Sequence, residues 1–540
     1  MSIQFNRGTF AWPDGDVQLA DLTLTLPAGR TGIVGDNGAG KTTFARLITG
    51  ELAPTSGTVD VPADVGVLPQ DITLDPDADL ADLLGVAGKL AALAAIESGD
   101  VAEEHFDALG DDWDIAERTR AELDAVGLGR LELDRPVRRM SGGEVVLAAL
   151  VGLHLRRHAV VVLDEPTNNL DRDTRGRLYD LVERWSGTVL VVSHDPALLR
   201  RMDAIAEVRD GGVRLYGGGF DAWRDAVAVE QAAAERAVRT AEGTLRVERR
   251  QAIETETRLA RRERTGRGRR AEGQSKAAAD FYRNRAEKTT GRLRDQASAK
   301  VAAARAAVEA AEERLRDEEA VHVDLPDPGV GAGRRLAAFV VDAGTPDSAT
   351  HEVVGPERVA LLGPNGVGKS RLIAALLGAD VGGRVSARLL TDRVGHLPQR
   401  LDHLADDDTV LAAVQGGAPD VPEGVLRNRL ARFHLRRDDV FRPVGSLSGG
   451  ERFRVALARL LLAEPPAQLL VLDEPTNNLD LRTVGVLVDA LASYRGGLLV
   501  VSHDDAFRDQ LGIERTLVLD ADGGLAEVTR PGTGEGPLDV

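Results

Sequence analysis

The chain has 540 residues and a formal net charge of −19, which predict three or four globular domains without indiscriminate affinity for nucleic acid. Because it contains no cysteine, disulfides and cysteine-ligated metals are excluded, and a cytoplasmic location is expected. No apolar run reaches about 18 residues, so no segment is predicted to span a bilayer, and the opening MSIQFNRGTFAWPDG lacks a secretory signal.

The first element with a clear chemical meaning is a glycine-rich loop between an apolar strand, TGIV, and a helical segment. Its sequence GDNGAGKT fits G-x-x-x-x-G-K-[ST], in which backbone N–H groups converge on phosphate oxygens at a helix N-terminus. Lys41 is predicted to reach the β- and γ-phosphates, and Thr42 to hold Mg²⁺. The predicted nucleotide-binding residues are Gly35, Asp36, Asn37, Gly38, Ala39, Gly40, Lys41, Thr42 and Thr43.

Three further motifs follow in the first half: LPQ, ending at Gln70, then MSGGE, then LDEPTNNLD with VVSHD behind it. The runs AVVVLDE and TVLVVSH predict parallel strands buried on both faces, with functional side chains at their carboxyl ends. Asp164 is then placed for the Mg²⁺ shell, Glu165 for the attacking water and His194 for the γ-phosphate. A lone Asp-Glu pair is more often a solvated loop, so this assignment depends on the whole set.

A proline-free connector, residues 197–325, separates the two halves. Its apolar residues keep a seven-residue phase in two stripes on either side of a Gly- and Arg-rich patch, which predicts an antiparallel helical hairpin. The stripes are Val238, Ala241, Leu245, Ala252 and Leu259, and Ala297, Val301, Ala304, Val308, Ala311 and Leu315. Residues 258–294 hold 13 Lys or Arg and 4 Asp or Glu, net +9. Such a cationic tip on an acidic chain indicates a phosphate-rich partner, with a merely solvated hairpin as the alternative.

The second half repeats the motifs in the same order, with LDEPTNNLD recurring 309 positions later. Asp473, Glu474 and His503 take the places of Asp164, Glu165 and His194. The matching nucleotide-binding residues are Gly363, Pro364, Asn365, Gly366, Val367, Gly368, Lys369, Ser370, Arg371 and Gln399. The predicted domains are residues 1–225, with an insert at about 84–113, a hairpin linker at 226–320, a second domain at 321–530 and a tail at 531–540.

These motifs resemble, twice over, those of the ATP-binding cassette family: Walker A loop, Q-loop, SGG signature, Walker B, D-loop and switch histidine. Paired cassettes with a charged helical connector and DEPTNNLD resemble the ABC-F subfamily in particular, although that subfamily often has His where this chain has Asn169 and Asn478. The predicted fold class is therefore α/β: two tandem P-loop NTPase domains joined by an antiparallel helical hairpin. The resemblance implies an ATPase that uses ATP and Mg²⁺, with Thr42, Gln70, Asp164, Ser370, Gln399 and Asp473 around the metal.

The resemblance also implies two composite sites in a head-to-tail, intramolecular pairing, so the chain is expected to be a monomer. Site I would combine the nucleotide residues of the first half with the second signature, and site II the reverse. The signature residues are Ser141, Gly142, Gly143 and Glu144 in the first half, and Ser448, Gly449, Gly450 and Glu451 in the second. ATP would then join the halves, and hydrolysis would let them part.

The two predicted sites differ in sequence. Trp12 takes the place of the family's adenine-stacking aromatic, with a core or edge tryptophan as the alternative, whereas the nearest aromatic of the second half, Phe339, is poorly placed. Basic residues follow the second signature, but Val145 and Val146 follow the first. Both losses fall on site II, so site I is expected to contribute more of the turnover.

The ABC-F resemblance implies binding of the ATP form to the ribosomal exit-tRNA site, with the linker directed at the peptidyl-transferase region and touching large-subunit RNA and P-site tRNA. The linker-tip residues predicted to contact the ribosome are Arg267, Arg269, Arg270, Lys276, Phe281, Tyr282, Arg283 and Arg285. The spacing between the Q-loop and the signature is 22 residues longer in the first half than in the second. That acidic insert matches the subfamily's arm and suits contact with protein.

Several functions remain compatible with the motifs. Subfamily members divide between antibiotic resistance by ribosome protection, which we favour, and general translation factors. An ATPase subunit of a drug transporter with a separate membrane partner would have no use for a basic hairpin. A DNA-repair ATPase of this family would have a far longer coiled coil or a zinc motif, and the chain has no cysteine.

Overall fold

The computed structural model describes residues 2–61, 64–70, 72, 78–268, 276–312, 325–342, 348–381, 384–399, 404–435, 437–477 and 479–528. The chain divides into two compact units, one made of residues 1–220 and 320–540 and the other of residues 221–319. The first unit contains both motif-bearing halves, and the second is the connector.

The first half begins with strands and continues with alternating helices and strands. Its strands are β1 (Ile3–Ala11), β2 (Val17–Leu26), β3 (Arg30–Val34), β4 (Ser56–Asp60), β5 (Val65–Leu68), β6 (Val160–Asp164), β7 (Thr188–Val192), β8 (Ala204–Arg209) and β9 (Gly212–Gly217). Its helices are α1 (Lys41–Thr49), α2 (Leu80–Leu84), α3 (Ala87–Glu97), α4 (Glu103–Leu109), α5 (Ile115–Ala125), α6 (Gly142–Arg156), α7 (Arg172–Glu183) and α8 (Pro196–Leu199).

The connector consists of two long helices, α9 (Phe220–Gly268) and α10 (Lys276–Glu312). Leu259 on α9 and Ala304, Val308 and Ala311 on α10 are buried, as the seven-residue stripes predict. Arg294 of α10 donates to Glu256 of α9 across the hairpin at 2.9 Å. The predicted antiparallel hairpin is therefore confirmed for the described part of the two arms, whereas Leu315 lies outside the described residues.

The second half repeats the order of the first. Its strands are β10 (Arg334–Val341), β11 (Ala349–Gly355), β12 (Arg358–Leu362), β13 (Val385–Leu389), β14 (Val394–Leu397), β15 (Leu469–Asp473), β16 (Gly497–Val501), β17 (Arg515–Leu519) and β18 (Leu525–Val528). Its helices are α11 (Lys369–Leu376), α12 (Val410–Gln415), α13 (Glu423–Leu430), α14 (Gly449–Leu461), α15 (Leu481–Ala492) and α16 (Asp505–Gln510).

Each half contains the same pair of sheets. The six-stranded sheets have the orders β5-β6-β7-β3-β8-β9 and β14-β15-β16-β12-β17-β18, and every neighbouring pair is parallel except the last, β8·β9 and β17·β18. The antiparallel three-stranded sheets have the orders β2-β1-β4 and β11-β10-β13. The apolar runs β6, β7, β15 and β16 are buried along almost their whole length, as expected for parallel strands covered on both faces.

Packing between the two sheets fixes the helix that follows each glycine loop. In the first half, Phe5 on β1 stacks on Phe44 of α1 with ring centroids 4.9 Å apart, and both side chains are buried. In the second half, Phe339 on β10 is fully buried in the core that also holds Ile373 and Leu376 of α11. Each buried aromatic contributes roughly 1.5–3 kcal/mol, so the start of the helix is held firmly against the strands.

Candidate functional site

In both halves the polar motifs converge on one edge of the six-stranded sheet. In the first half, Gln70 follows β5, Asp164 ends β6, His194 follows β7 and the glycine loop follows β3. These strands are neighbours in the order β5-β6-β7-β3, and the carboxyl ends of parallel strands face the same crevice. The fold therefore brings together residues that are far apart in the chain. Lys41 and His194, for example, are separated by 153 positions.

The glycine loops have the backbone that a phosphate cradle needs. Gly40 and Gly368 precede α1 and α11 in the left-handed region, with φ of 102° and 108°. A Cβ at Gly35 would lie 2.3 Å from the carbonyl oxygen of Val208, so only glycine fits this close approach. Helices α1 and α11 begin directly after these glycines, and a helix N-terminus favours an anion.

The loop lysines are buried and fold over their own loops. Lys41 Nζ donates to the carbonyl oxygens of Gly35 at 2.8 Å and Asp36 at 3.1 Å, and Lys369 Nζ donates to Gly363 at 2.7 Å. Burial lowers the pKa of both amines, against the opposing effect of the Walker B carboxylates. Both cations are thus concentrated over the concave side of the loop, where phosphate oxygens would take the place of the carbonyls.

The acidic pair in the first half sits beside the lysine and the histidine. Thr42 hydrogen-bonds to Asp164, and burial raises the pKa of that carboxyl. Burial likewise raises the pKa of Glu165 to about 8. His194 Nε2 lies 3.3 Å from Glu165 Oε1, and burial lowers the pKa of this imidazole. The glutamate and histidine thus lie against each other in a desolvated position, where the charge of Lys41 acts on both.

The corresponding groups of the second half have a similar geometry. His503 Nε2 lies 3.5 Å from Glu474 Oε1 and 3.0 Å from Lys369 Nζ. Burial raises the pKa of Glu474 and lowers that of His503 to about 4. Glu165 and Glu474 both have positive φ, 49° and 46°, an unusual conformation for a bulky residue. Each is held by its own N–H, which donates to the adjacent strand, at Val192 and Val501 respectively, over 2.8 Å.

Each crevice encloses a cavity. The first cavity has a volume of about 240 Å³ and the second about 630 Å³. The first is lined by Gln18, Asn37, Gly38, Gly40, Lys41, Thr42, Thr43, Gln70, Asp164, Glu165, Asn168, Val192 and His194. The second is lined by Asn169, Leu170, Arg175, Asn365, Gly366, Gly368, Lys369, Ser370, Arg371, Gln399, Asp473, Glu474, Asn477 and His503. Most of the predicted nucleotide-binding, metal and catalytic residues are therefore gathered at the two cavities.

Trp12 does not line the first cavity but is connected to it. Its ring packs edge-on against Phe10 at 5.0 Å, and its Nε1 lies 3.4 Å from Gln18 Oε1. Gln18 in turn donates to the carbonyl oxygen of Gly38 at 3.0 Å. Trp12 thus supports the first loop through Gln18, and its stacking on adenine stays a prediction. Phe339 is wholly buried and has no face for a ligand.

The two halves touch through their D-loops, the segments after each DEP. Asp480 Oδ2 accepts from the backbone N–H of Asn37 at 2.7 Å, and Asp171 accepts a backbone hydrogen bond from Asn365. The same two aspartates cap the helices that follow them, α15 and α7. Each glycine loop is therefore bonded to the opposite half at the corresponding asparagine.

Further hydrogen bonds and an ion pair join the two halves. Asn169, at φ 59°, accepts from Asn365 Nδ2 through its carbonyl oxygen at 2.7 Å and from Gln399 and Asn477 through its side chain at 3.4 and 3.3 Å. The counterpart of Asn169, Asn478, lies outside the described residues. On the other side, Arg482 pairs with Asp36 at 3.2 Å.

The signature motifs start helices α6 and α14. Ser141 and Ser448 both form a capping box with the glutamate three residues later, which satisfies N–H groups at the helix start. Among the described lining residues of the two cavities there is no signature residue. The second signature nevertheless borders the first loop, because a Cβ at Gly450 would lie 3.8 Å from Asn37 Nδ2.

The donors at each cavity fit Mg²⁺. Thr42 with Asp164, and Ser370 with Asp473, provide one hydroxyl and one carboxylate at each cavity, with Gln70 or Gln399 beside them. Within the described ranges there is no group of three or more His, Cys, Asp or Glu side chains able to hold a metal. Mg²⁺ bound with substrate phosphates needs only one or two carboxylates and oxygen ligands, so this small donor set matches that ion.

Sequence reasoning missed several residues at the cavities. Gln18 and Asn168 line the first and Asn169, Arg175 and Asn477 the second. The asparagines lie inside the repeated nonapeptide, which marked them without giving a role. Arg175 could have been found by aligning the two halves, because Val484 stands in its place.

The linker-tip residues cannot be placed in this way. Arg269 and Arg270 lie outside the described residues, as do the side chains of Arg267, Lys276, Phe281, Tyr282, Arg283 and Arg285. Their role stays a prediction from sequence. In the part of the chain that the structure describes, no helix combines the length and the apolarity that crossing a membrane requires.

Comparison with known proteins gives consistent relatives. Residues 19–168 and 348–477 match the family described as ABC transporter. The tylosin resistance ATP-binding protein TlrC of Streptomyces fradiae is 32% identical over 538 residues, covering 92% of this chain and 94% of that protein. The energy-dependent translational throttle protein EttA of Mycobacterium tuberculosis is 27% identical, covering 92% of this chain and 87% of that protein.

A solved structure shares the architecture. It holds an archaeal ribosome recycling factor in complex with a ribosomal stalk protein, and superposes with a TM-score of 0.55 at 19% identity, covering 96% of this chain and 89% of that chain. At that identity the likeness concerns the fold alone.

Proposed function

This chain belongs to the ABC-F subfamily of ATP-binding cassette proteins, and from that premise we propose that it is an ATPase that binds the ribosome in its ATP-bound state. Its two sites are composite: site I joins the first cavity to the second signature, and site II joins the second cavity to the first signature. Its linker acts on the peptidyl-transferase region from the exit-tRNA site. The outcome for the cell is antibiotic resistance by ribosome protection.

The observation that carries this proposal is the reciprocal bonding of the D-loops to the opposite glycine loops. Asp480 and Asp171 accept from the backbone of Asn37 and Asn365, so each loop is held by both halves. ATP bound to a loop therefore acts on the other half through this hydrogen bond. A ligand that touches two bodies shifts the balance between their joined and parted states, and hydrolysis reverses the shift.

Within each site the residues divide the work of phosphoryl transfer. Lys41 and Lys369 hold the β- and γ-phosphates. Thr42 with Asp164, and Ser370 with Asp473, would hold Mg²⁺, which would supply positive charge to the phosphates. Glu165 and Glu474 orient and deprotonate the attacking water, while His194 and His503, neutral because they are buried, fix these carboxylates and meet the γ-phosphate. The strained backbone of both glutamates aims them at the loop.

Charge distribution supports ribosomal RNA as the partner. Residues 258–294 carry +9 on a chain of −19, so a phosphate-rich surface selects the linker tip and repels the rest. The insert is built on α3 and α4, with Phe106 and Trp113 exposed on it, and is acidic, which suits a basic ribosomal protein. The name of one relative, the energy-dependent translational throttle protein EttA, also refers to translation.

Sedimentation with ribosomes in a non-hydrolysable ATP analogue tests this proposal. We expect Arg267→Ala, Arg269→Ala and Arg270→Ala together to weaken binding and to flatten its salt dependence, by up to about one unit of slope per lost contact. The matched control changes Arg236, Arg239 and Arg246 to Ala. This triple variant loses the same amount of positive charge, but from a part of α9 away from the tip. If both triple variants bind like the parent at every salt concentration, the linker is only a spacer.

Resistance and a general role in translation are separated by expression in a sensitive bacterium. We expect increased survival in tylosin, a drug class suggested by the relative TlrC, and loss of that survival with Phe281→Ala and Tyr282→Ala, which remove the aromatic pair near the tip. Unchanged susceptibility together with an ATP-dependent effect on translation without drug would favour the translation-factor function, as in EttA.

A further inference from the structure

An arginine of the first half lies in the cavity of the second. Arg175 is on α7, one turn after the capping aspartate of the first D-loop, and lines the second cavity with Lys369, Glu474 and His503. The Nε of Arg175 is buried and, among the described residues, has no hydrogen-bond partner. Arg175 is half-buried, and its charge also acts on Asp504. Its buried Nε–H, at the edge of an anion-binding cavity, is a donor that an anionic ligand would satisfy.

The charge of Arg175 reaches the reacting groups of the second site. It lowers the pKa of Glu474, opposing the larger effect of burial, and adds to burial in lowering the pKa of His503. Arg175 therefore lies close enough to Glu474 and His503 for its charge to act on both.

The first cavity lacks this arginine. Aligning the two capping aspartates, Asp171 and Asp480, sets Arg175 against Val484. The second half offers other basic residues to site I. Arg482 pairs with Asp36, and the charge of Arg454, the sixth residue of α14, interacts with Asp480 and Asp36. The first signature helix has Val145 and Leu147 where the second has Arg452 and Arg454.

We propose that Arg175 is a trans-acting phosphate ligand of site II, supplying from α7 the positive charge that the first signature helix lacks. It reaches the terminal phosphate of ATP held by the second glycine loop, so site II is complete only when the halves are joined. This inference rests on the proposed composite sites. It identifies how they differ: the opposite half supplies positive charge to site I from its signature helix, and to site II from the helix after its D-loop.

The test isolates site II by placing all variants in a Glu165→Gln background, in which turnover at site I is expected to be roughly 10²–10⁴-fold slower. We expect Arg175→Ala to lower the remaining turnover roughly 10²- to 10³-fold, the range for removing one preorganised donor to a developing charge. Arg175→Lys should recover part of it, since a point charge replaces the planar fork. The matched control is Arg172→Ala, which removes an arginine from the same helix and a 3.4 Å pair with Asp505 between the halves without touching the cavity.

A binding measurement separates a phosphate ligand from a structural role. In a Lys41→Ala background, which weakens binding to the first loop, Arg175→Ala should lower affinity for ATP and leave affinity for ADP unchanged, because only ATP has the terminal phosphate. Equal losses for ATP and ADP, or a turnover matching that of Arg172→Ala, would overturn the assignment. If Arg175→Ala does not fold, Arg175→Gln is measured in its place and judged by the same ratio.

Failure here differs from failure of the composite sites themselves. If Glu165→Gln with Glu474→Gln leaves turnover unchanged, the proposed hydrolysis is wrong whatever Arg175 does. If that double variant is inactive but Arg175→Ala behaves like Arg172→Ala, only the inference about Arg175 fails.

Discussion

The two cavities of this protein share nearly all the residues of their own half but differ in what the other half supplies. The first cavity faces Asp480, whose charge acts on Lys41 and His194. The second faces Asp171 together with Arg175. An identical nonapeptide in both halves therefore does not make identical sites, because the residues just beyond it cross to the opposite cavity.

The largest effect is expected when the glutamates of both cavities are changed together. Glu165→Gln with Glu474→Gln should keep ATP binding and slow hydrolysis by roughly 10²–10⁴-fold, the usual contribution of a general base. ATP binding is measured by equilibrium titration and turnover by phosphate release. A double variant that hydrolyses ATP at the parental rate would remove the catalytic basis for comparing the sites at all.

The single variants show how unequal the sites are. We expect Glu165→Gln to lower turnover more than Glu474→Gln, by about two- to fivefold, a difference in barrier of less than about 1 kcal/mol. Adding Arg175→Ala to each should widen the gap, because it weakens site II alone. Equal losses in all four variants would mean that the sequence differences between the halves are silent.

Substitutions of the D-loop aspartates test whether each half supports ATP binding at the glycine loop of the other half. Asp480→Ser should keep the cap of α15, since serine and aspartate cap equally well, but lose the bond to the N–H of Asn37. ATP affinity of the first loop should then fall about fivefold or more, as for a lost hydrogen bond to a charged group. This affinity is measured in a Lys369→Ala background, which weakens ATP binding to the second loop. The reverse experiment combines Asp171→Ser with Lys41→Ala and measures ATP binding to the second loop. If each aspartate variant instead lowered the ATP affinity of the glycine loop in its own half, the reciprocal contacts would be contradicted.

The smallest expected effect concerns stability and pH. Burial raises the pKa of Glu165 to about 8, so the folded state favours the protonated form. That contribution to stability is complete below the ordinary glutamate pKa and is lost as the pH rises to about 8. Glu165→Gln cannot ionise, so its Tm advantage over the parent should grow between pH 5 and pH 8.5, by roughly 2–4 °C. For Glu474→Gln the growth should be smaller, since Arg175 opposes the shift. The Tm values are measured by differential scanning calorimetry. A Tm difference between Glu165→Gln and the parent that stays constant across pH would exclude ionisation of Glu165 as the cause.

Much of the fold followed from local sequence patterns. The runs AVVVLDE and TVLVVSH, and their counterparts, are buried parallel strands, and the seven-residue stripes form two long helices, because hydrophobic periodicity reports burial directly. The motif residues meet at the carboxyl ends of neighbouring strands for the topological reason anticipated.

Contacts that depend on tertiary packing were less accessible to sequence reasoning. Nothing in the spacing of Gln18 marks it as the link between Trp12 and the first loop, since that link depends on how β1 and β2 pair. Arg175 lies outside every recognised motif, and only its position in a folded, paired molecule brings it to the second cavity. Long-range packing decides such contacts, and a one-dimensional pattern does not contain it.

Ribosome binding by the hydrolysis-deficient protein tests the central claim most directly. The variant with Glu165→Gln and Glu474→Gln is sedimented with ribosomes in ATP and, separately, in ADP, because ATP should hold the halves joined and ADP should not. We predict that the variant pellets with ribosomes in ATP, remains in the supernatant in ADP, and loses the ATP-dependent fraction when Arg267, Arg269 and Arg270 are also changed to Ala. Equal pelleting in ATP and ADP, or none in either, would contradict a protein that binds the ribosome in its ATP-bound state.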